Sequence, residues 1–184
     1  MNLELKNTTY KQLLWIGMAS ITLFFAGLTS AVIVRSSESG WNEITMPKYF
    51  WFSTVIIILG SLLLIISKKM VKKGKNPADY IFLTFVCGVI FAICQFKGWS
   101  ELVNQGKFFV GEGSSPASSF LYVITFAHLV HVIGGLISVF VTYTKSVNLK
   151  YSEKNYLGIE LTSIYWHFLD ILWLYLFAFL LYII

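Results

Sequence analysis

Long apolar stretches separated by short polar connections make up most of the chain. Five of them are near the length of about 20 residues that an α-helix needs to cross a bilayer, and they run over about 13–34, 49–67, 80–96, 118–144 and 159–184. Apolar and polar positions do not alternate within them, for example over residues 55–66, so membrane β-strands are not predicted. The pattern predicts an all-α fold, an integral membrane bundle of five transmembrane helices.

The third stretch has the least defined end. It stops at Phe96, before Lys97, but Trp99 and Leu102 suit the membrane interface and predict a helix that continues past it. The first stretch is longer than a signal-peptide core and is expected to remain as the first helix. Because no internal repeat divides the chain, we expect a single membrane domain over residues 1–184.

The composition agrees with a lipid environment. Apolar residues make up 57% of the chain and charged residues only 12%, and the mean hydropathy is +0.71. A chain of 184 residues has too little interior to hide that much apolar surface from water. A soluble domain, a disordered chain and a nucleic-acid-binding protein are therefore not predicted.

The basic residues are divided unevenly between the two sides of the predicted bundle. Ten of the fourteen Lys and Arg residues lie on the side of the amino terminus, five of them between residues 68 and 75. The other side has only Arg35, Lys48, Lys97 and Lys107. Since short loops rich in Lys and Arg stay in the cytoplasm, the amino terminus is predicted to be cytoplasmic and the carboxyl terminus external.

Ionisable side chains are concentrated in the last two predicted helices. All three histidines and two carboxylates lie there: His128, His131, His167, Glu160 and Asp170. Such groups are costly at membrane depth and usually face the interior of a bundle, where they pair or line a pathway. These five residues form the candidate site.

Helical geometry places these residues on shared faces. Glu160, Ser163, His167 and Asp170 fall within roughly 80° of the last helix. At about 1.5 Å per residue, Asp170 lies about 16 Å and His131 about 20 Å from the cytoplasmic side, so we expect the two to be close enough to touch. Glu160 lies near the cytoplasmic edge, where Lys145 or Lys154 is its expected partner.

The cluster allows three interpretations. A hydrogen-bonded network of the five residues would fix how the fourth and fifth helices pack. Alternatively, His128, His131 and His167 would ligate a haem or a metal, although the paired Glu-x-x-His segments of di-iron bundles are missing. The third interpretation is a proton pathway, because histidines and carboxylates are the usual relay groups.

Small residues form two stripes on the first two predicted helices. The first stripe comprises Gly17, Ser20, Gly27 and Ala31, and the second comprises Ser53, Gly60 and Ser67. Such stripes allow helices to approach closely, either inside the bundle or against a larger membrane partner.

Two segments resemble a known family. Residues 158–175 (GIELTSIYWHFLDILWLY) resemble the last-helix signature of subunit III of haem-copper respiratory oxidases, the cytochrome c oxidase subunit 3 family. Residues 126–135 (FAHLVHVIGG) resemble the two-histidine motif on the preceding helix, and Gln95 and Trp99 fit a weaker motif near the end of the third. The resemblance extends over all five spans and corresponds to the five-helix form that lacks the first two of seven helices.

The resemblance implies a non-catalytic subunit of a proton-pumping terminal oxidase in a bacterial inner membrane. In this family the haems and copper belong to partner subunits, so the resemblance implies no catalytic, cofactor or metal residue here and a structural role for the polar cluster. It implies binding of phospholipid, with Lys145 at a headgroup position, and support of proton uptake and of stability during turnover. The implied protein partners are subunit I as the main contact, subunit II, a small subunit IV and a respiratory supercomplex. The electron donor, cytochrome c or quinol, docks on other chains.

Two positions depart from the family. An intramembrane glutamate is replaced by Ile21, and a glutamate near Gln95 is replaced by Gly98. A proton antenna at Ile21 is therefore not expected, and the missing helices are expected to narrow the family's lipid cleft. Two alternative functions are the accessory subunit of a nitric oxide reductase and an autonomous membrane haem or metal protein.

Overall fold

The described residues form five long helices. The computed structural model describes residues 3–153 and 155–184, and its helices are α1 (Leu3–Ser36), α2 (Lys48–Val71), α3 (Ala78–Asn104), α4 (Pro116–Val147) and α5 (Leu157–Ile183). Each is long and apolar enough to cross a membrane. The predicted all-α fold with five membrane-spanning helices is confirmed.

The helices are longer than the apolar stretches that predicted them. They contain 24 to 34 residues, which corresponds to about 36 to 51 Å, whereas the hydrocarbon core of a bilayer is about 30 Å thick. α3 continues past Phe96 to Asn104, as its interfacial residues predicted. Helices of this length cross the hydrocarbon core either tilted or with their end turns in the headgroup region.

α4 begins at a well-defined cap. The Ser115 hydroxyl accepts from the Ser118 amide (3.2 Å), and the Ser118 hydroxyl accepts from the Ser115 amide (2.9 Å). Pro116 occupies the first turn, where its missing amide hydrogen costs no helical bond. Because the Ser118 hydroxyl also donates to the Phe108 carbonyl (2.9 Å), the cap fixes the α3–α4 connection against α4.

Four helices form a closed ring around the core. α2, α3, α4 and α5 pack in that order, and α5 also contacts α2, while α1 lies outside the ring against α4 and α5. The ring encloses large aromatic side chains that are fully buried, among them Phe50, Phe91, Trp166 and Trp173. The rings of Phe91 and Trp173 meet edge to face with their centroids 5.1 Å apart, an arrangement that aromatic pairs favour.

α1 contributes one narrow face to the bundle. Its buried residues Met18, Phe25, Thr29 and Val32 follow a helical spacing and lie towards α4 and α5. The first small-residue stripe is exposed, whereas the second is buried inside the ring. The two stripes therefore have different surroundings, although both were typical of helix contact surfaces.

The two ends of the bundle differ in charge. The basic end is the end at which α1 begins, and it holds Lys11 and the lysines of residues 68–75 and 145–150. At the opposite end, the α1–α2 connection packs over the last turn of α5. Trp41 Nε1 donates to the Ile183 carbonyl (3.0 Å) and the Ile44 amide donates to the Ile184 carbonyl (3.2 Å). These bonds use carbonyls that the end of a helix leaves without an intrahelical partner.

Candidate functional site

The polar face of α5 lies against α2. His167 Nδ1 is 2.6 Å from the Ser61 hydroxyl, and His167 Nε2 is 3.0 Å from the Ser163 hydroxyl. Ser61 also interacts with the carboxyl group of Asp170. A neutral imidazole has one donor and one acceptor nitrogen, and serine hydroxyls serve either role, so both nitrogens are satisfied. We call Ser61, Ser163, His167 and Asp170 the Ser61 cluster.

Asp170 is buried with one oxygen unpaired. Its side chain is 7% exposed, and its Oδ1 atom has no hydrogen-bond partner among the described residues. The same holds for Nε1 of Trp166, one turn earlier on α5. Unpaired polar atoms in a protein interior are costly, and Ser61 is the polar side chain that interacts with the Asp170 carboxyl group.

His128 lies in an aromatic environment inside the ring. It is fully buried, and its ring centroid is 5.2 Å from that of Trp173, 5.9 Å from that of Phe91 and 6.3 Å from that of Phe25. Neither of its nitrogens has a hydrogen-bond partner among the described residues. His128 therefore acts here as a packed ring rather than as a hydrogen-bonding group.

His131 faces α1 instead of α5. Its Nδ1 atom donates to the Ala127 carbonyl one turn earlier (2.7 Å), and its ring centroid lies 5.5 Å from that of Phe25 on α1. His131 contacts α5 through its backbone, because its carbonyl accepts a hydrogen bond from the Tyr165 hydroxyl (3.3 Å). The expected approach of His131 to Asp170 is therefore not seen, because the α5 stripe is turned towards α2.

Glu160 lies at the basic end and joins three helices. Its carboxylate is 2.8 Å from the ammonium group of Lys11 on α1 and 3.8 Å from that of Lys68 on α2. These two lysines replace the predicted partners, of which Lys145 is exposed on α4 and Lys154 lies outside the described residues. Lys145 lines a separate groove of about 260 Å³ between α4 and α5, together with Thr142.

The motif residues of α3 tie it to two neighbours. Gln95 Nε2 donates to the Ser53 hydroxyl of α2 (3.1 Å), and Trp99 Nε1 donates to the Thr125 hydroxyl of α4 (2.9 Å). Gly98 of α3 lies directly against the ring of Phe50 of α2. A side chain at this position would collide with that ring.

Two contributing residues were not predicted. Ser61 joins His167 to Asp170, but a single hydroxyl beside Gly60 in an apolar run carries no distinctive signal. Lys11 was counted only as an orientation signal, and its contact with Glu160 depends on how α1 lies across the bundle. In residues 3–153 and 155–184, no three His, Cys, Asp or Glu side chains come together in a group that could hold a metal ion.

Comparison with known proteins relates the chain to one family. Residues 40–183 match the sequence model of the family described as cytochrome c oxidase subunit III. The chain is 28% identical over 170 residues to probable cytochrome c oxidase subunit 3 of Nocardia farcinica, covering 89% of this chain and 82% of that protein. It is 29% identical over 180 residues to cytochrome bo(3) ubiquinol oxidase subunit 3 of Buchnera aphidicola, covering 90% of this chain and 89% of that protein. The region matched to the family includes all five candidate residues.

Proposed function

Because the chain belongs to the cytochrome c oxidase subunit III family, we propose that it is the accessory third subunit of a haem-copper terminal oxidase. The family is the oxidase subunit without the redox centres, which lie in other subunits. The chain is a multi-pass membrane protein that forms a complex with other oxidase subunits. The observation that carries the proposal is the family match over residues 40–183, which includes α2 to α5 and the whole Ser61 cluster.

The polar cluster is proposed to have a structural role. The hydrogen bonds of His167 run to α2, and Glu160 joins α1, α2 and α5. Each histidine contacts residues of another helix. These contacts support a packing network, with α2 and α1 as the helices joined to α5.

Subunit I is the proposed main partner, with subunit II and a small subunit IV as further contacts. The exposed face of α1 supports a helical partner, since a Cβ atom at Gly17 or Gly27 would meet no atom within 4 Å. Small residues on an exposed membrane face allow another helix to approach closely. Through this contact the subunit is proposed to support proton uptake and to stabilise the oxygen-reducing subunit during turnover.

The proposed location is a bacterial inner membrane with the basic end in the cytoplasm. The distribution of lysines supports this orientation. Phospholipid is proposed to bind in the α4–α5 groove, where Lys145 is exposed at headgroup level and Ser138 and Thr162 form part of the wall.

Copurification tests the assignment to an oxidase complex. The chain carries an affinity tag at its amino terminus, is extracted from its native membranes in mild detergent, and its partners are identified by mass spectrometry. We expect subunits I and II to copurify with the chain in equal amounts. We also expect the haem absorbance to be proportional to the amount of subunit I. A chain that purifies alone with stoichiometric haem or metal would overturn the proposal.

A substitution at Asp170 tests the structural role of the cluster. Asp170→Leu removes the carboxyl group next to Ser61, and we expect loss of the subunit during purification and faster inactivation of the oxidase in turnover. Ile171→Leu is the control, because Ile171 is the adjacent residue and 65% exposed. If the Asp170→Leu complex keeps the subunit and inactivates at the wild-type rate, the cluster does not have this role.

A further inference from the structure

A groove at the basic end separates α2 from α5. It has a volume of about 440 Å³, and its rim is formed by Lys68, Lys69 and Lys72 of α2. Ile65 and Ile164 form apolar walls deeper in the span. The groove therefore combines a cationic rim at the membrane surface with walls suited to hydrocarbon.

The rim keeps a large excess of positive charge. Glu160 is the carboxylate beside it, and its closer contact is with Lys11 at 2.8 Å, whereas Lys68 is 3.8 Å away. Within the described part of the chain, neither Lys69 nor Lys72 forms an ion pair. Lys11, Lys68 and Lys72 thus share one carboxylate, and Lys69 adds a further positive charge to the rim. An anion entering the groove would meet ammonium groups that are not neutralised.

The floor of the groove is polar. Ser163 and His167 line it below the lysines, and the Ser163 hydroxyl is 3.0 Å from His167 Nε2. Lys72 is held towards α5 by the ring of Tyr156, whose centroid is 5.8 Å from its ammonium group. Lys68 and Lys72 therefore have partners outside α2, in Glu160 of α5 and in Tyr156 just before it.

We propose that this groove binds the phosphate of an anionic membrane phospholipid. The phosphate lies among Lys68, Lys69 and Lys72, and one acyl chain extends along Ile65 and Ile164. Charge complementarity supports an anionic lipid over a zwitterionic one, because each lysine near a membrane surface contributes about 1 kcal/mol of attraction to net negative charge, about fivefold in binding. The apolar walls support a lipid over free phosphate, because an inorganic anion would leave them unoccupied.

This site goes beyond the proposed function, which places lipid in the α4–α5 groove. That groove has a single lysine, Lys145, among its lining residues. A third groove at the basic end is lined by Lys75 but also by Glu153, which offsets its charge. Of these three grooves, only the one between α2 and α5 has several lysines on its rim.

Lipid titration of the oxidase complex tests the proposal. Complexes are purified with the wild-type chain, with Lys68→Gln/Lys69→Gln/Lys72→Gln, and with the control Lys73→Gln/Lys75→Gln/Lys150→Gln. The control removes the same number of positive charges from the same end but outside the α2–α5 groove. Each complex is delipidated in detergent and titrated with phosphatidylglycerol, phosphatidylcholine or inorganic phosphate, and lipid bound to this subunit is counted by native mass spectrometry.

We expect the wild-type subunit to bind phosphatidylglycerol at least about tenfold more tightly than phosphatidylcholine. The groove variant should lose at least about tenfold in phosphatidylglycerol binding, and the control should lose less than about threefold. Equal losses in the two variants, an unchanged groove variant, or displacement of the lipid by inorganic phosphate would each overturn the proposal. If the triple variant does not assemble, Lys69→Gln alone should weaken binding about fivefold, and no loss in that variant would overturn it.

The same preparations keep the two proposals separate. Retention of the subunit in the complex reports on the proposed function, whereas lipid counts report on the groove. A wild-type subunit that copurifies with its partners but shows no preference for phosphatidylglycerol would refute the groove site alone.

Discussion

The Ser61 hydroxyl on α2 and the His167 imidazole on α5 are joined by a hydrogen bond of 2.6 Å between Oγ and Nδ1. Ser61 is 6% exposed, so the contact lies inside the bundle and not at its surface. The Asp170 carboxyl group interacts with the same serine. Ser61 is thus the α2 partner of both His167 and Asp170 of α5.

Removing this hydroxyl should destabilise the subunit. Ser61→Ala leaves His167 Nδ1 and Asp170 without their partner on α2, and we expect a loss of about 1 to 3 kcal/mol in the free energy of unfolding. The measurement is thermal denaturation of the purified complex, followed by dissociation of this subunit. Ser67→Ala is the control, because Ser67 is also buried in α2 but bonds the Leu63 carbonyl of its own helix (3.0 Å). Equal destabilisation by the two variants would contradict the prediction.

His128 and His167 should respond differently to replacement by phenylalanine. His128→Phe loses no hydrogen bond to the described residues and stays among Phe91, Trp173 and other rings, so the stability should change by less than about 1.5 kcal/mol. His167→Phe removes both serine contacts and should cost more. Retention of each variant in the complex during detergent washing distinguishes them. A greater loss for His128→Phe than for His167→Phe would show that His128 has a polar role.

Gly98, which faces α2, should not tolerate a side chain. In Gly98→Ala the new Cβ would lie 2.7 Å from Cδ1 of Phe50, a fully buried ring. Moving that ring is expected to cost about 1 to 3 kcal/mol. Gly134→Ala is the control, since its Cβ would meet only the Tyr165 hydroxyl at 3.7 Å. Thermal denaturation of both variants is the measurement, and a Gly98→Ala protein as stable as Gly134→Ala would show that α2 and α3 separate easily.

The ion pair at the basic end should hold the start of α1. Glu160→Gln removes the partner of Lys11, and we expect faster amide hydrogen exchange over residues 7–15, with a loss in stability of at most about 1 kcal/mol because the pair is partly exposed. High salt should reduce the difference from wild type. Glu38→Gln is the control, because Glu38 pairs within its own segment with Arg35 (3.1 Å). Unchanged exchange over residues 7–15 in Glu160→Gln would contradict the prediction.

The sequence predicted the helices better than it predicted which helices pack against each other. Apolar length identifies a spanning helix, and the wedge of polar residues on α5 gave the correct shared face for Ser163, His167 and Asp170. The helix that this face contacts depends on the order of the helices around the ring, which no local pattern encodes. The isolated Ser61 of α2 therefore took the place that His131 of α4 was expected to occupy.

Small-residue stripes show the same limit. The first and second stripes have similar composition, and both predicted close helix contact. In the structure the second is buried in the ring, whereas Gly17 and Gly27 of the first have no atom within 4 Å of a Cβ position. Composition gives the potential for close approach, but the partner helix is decided by the rest of the bundle and by neighbouring subunits.

α1 is fastened to α5 near both of its ends. Lys11 meets Glu160 at the basic end, and Trp41, just past the end of α1, donates to the Ile183 carbonyl at the other. When one attachment opens, the remaining one keeps the broken partners at high effective concentration, so the broken contact closes again before the helix can drift away. Detachment of α1 is therefore a cooperative event that requires simultaneous release at opposite faces of the bilayer, and agents acting from a single side should be poor at causing it.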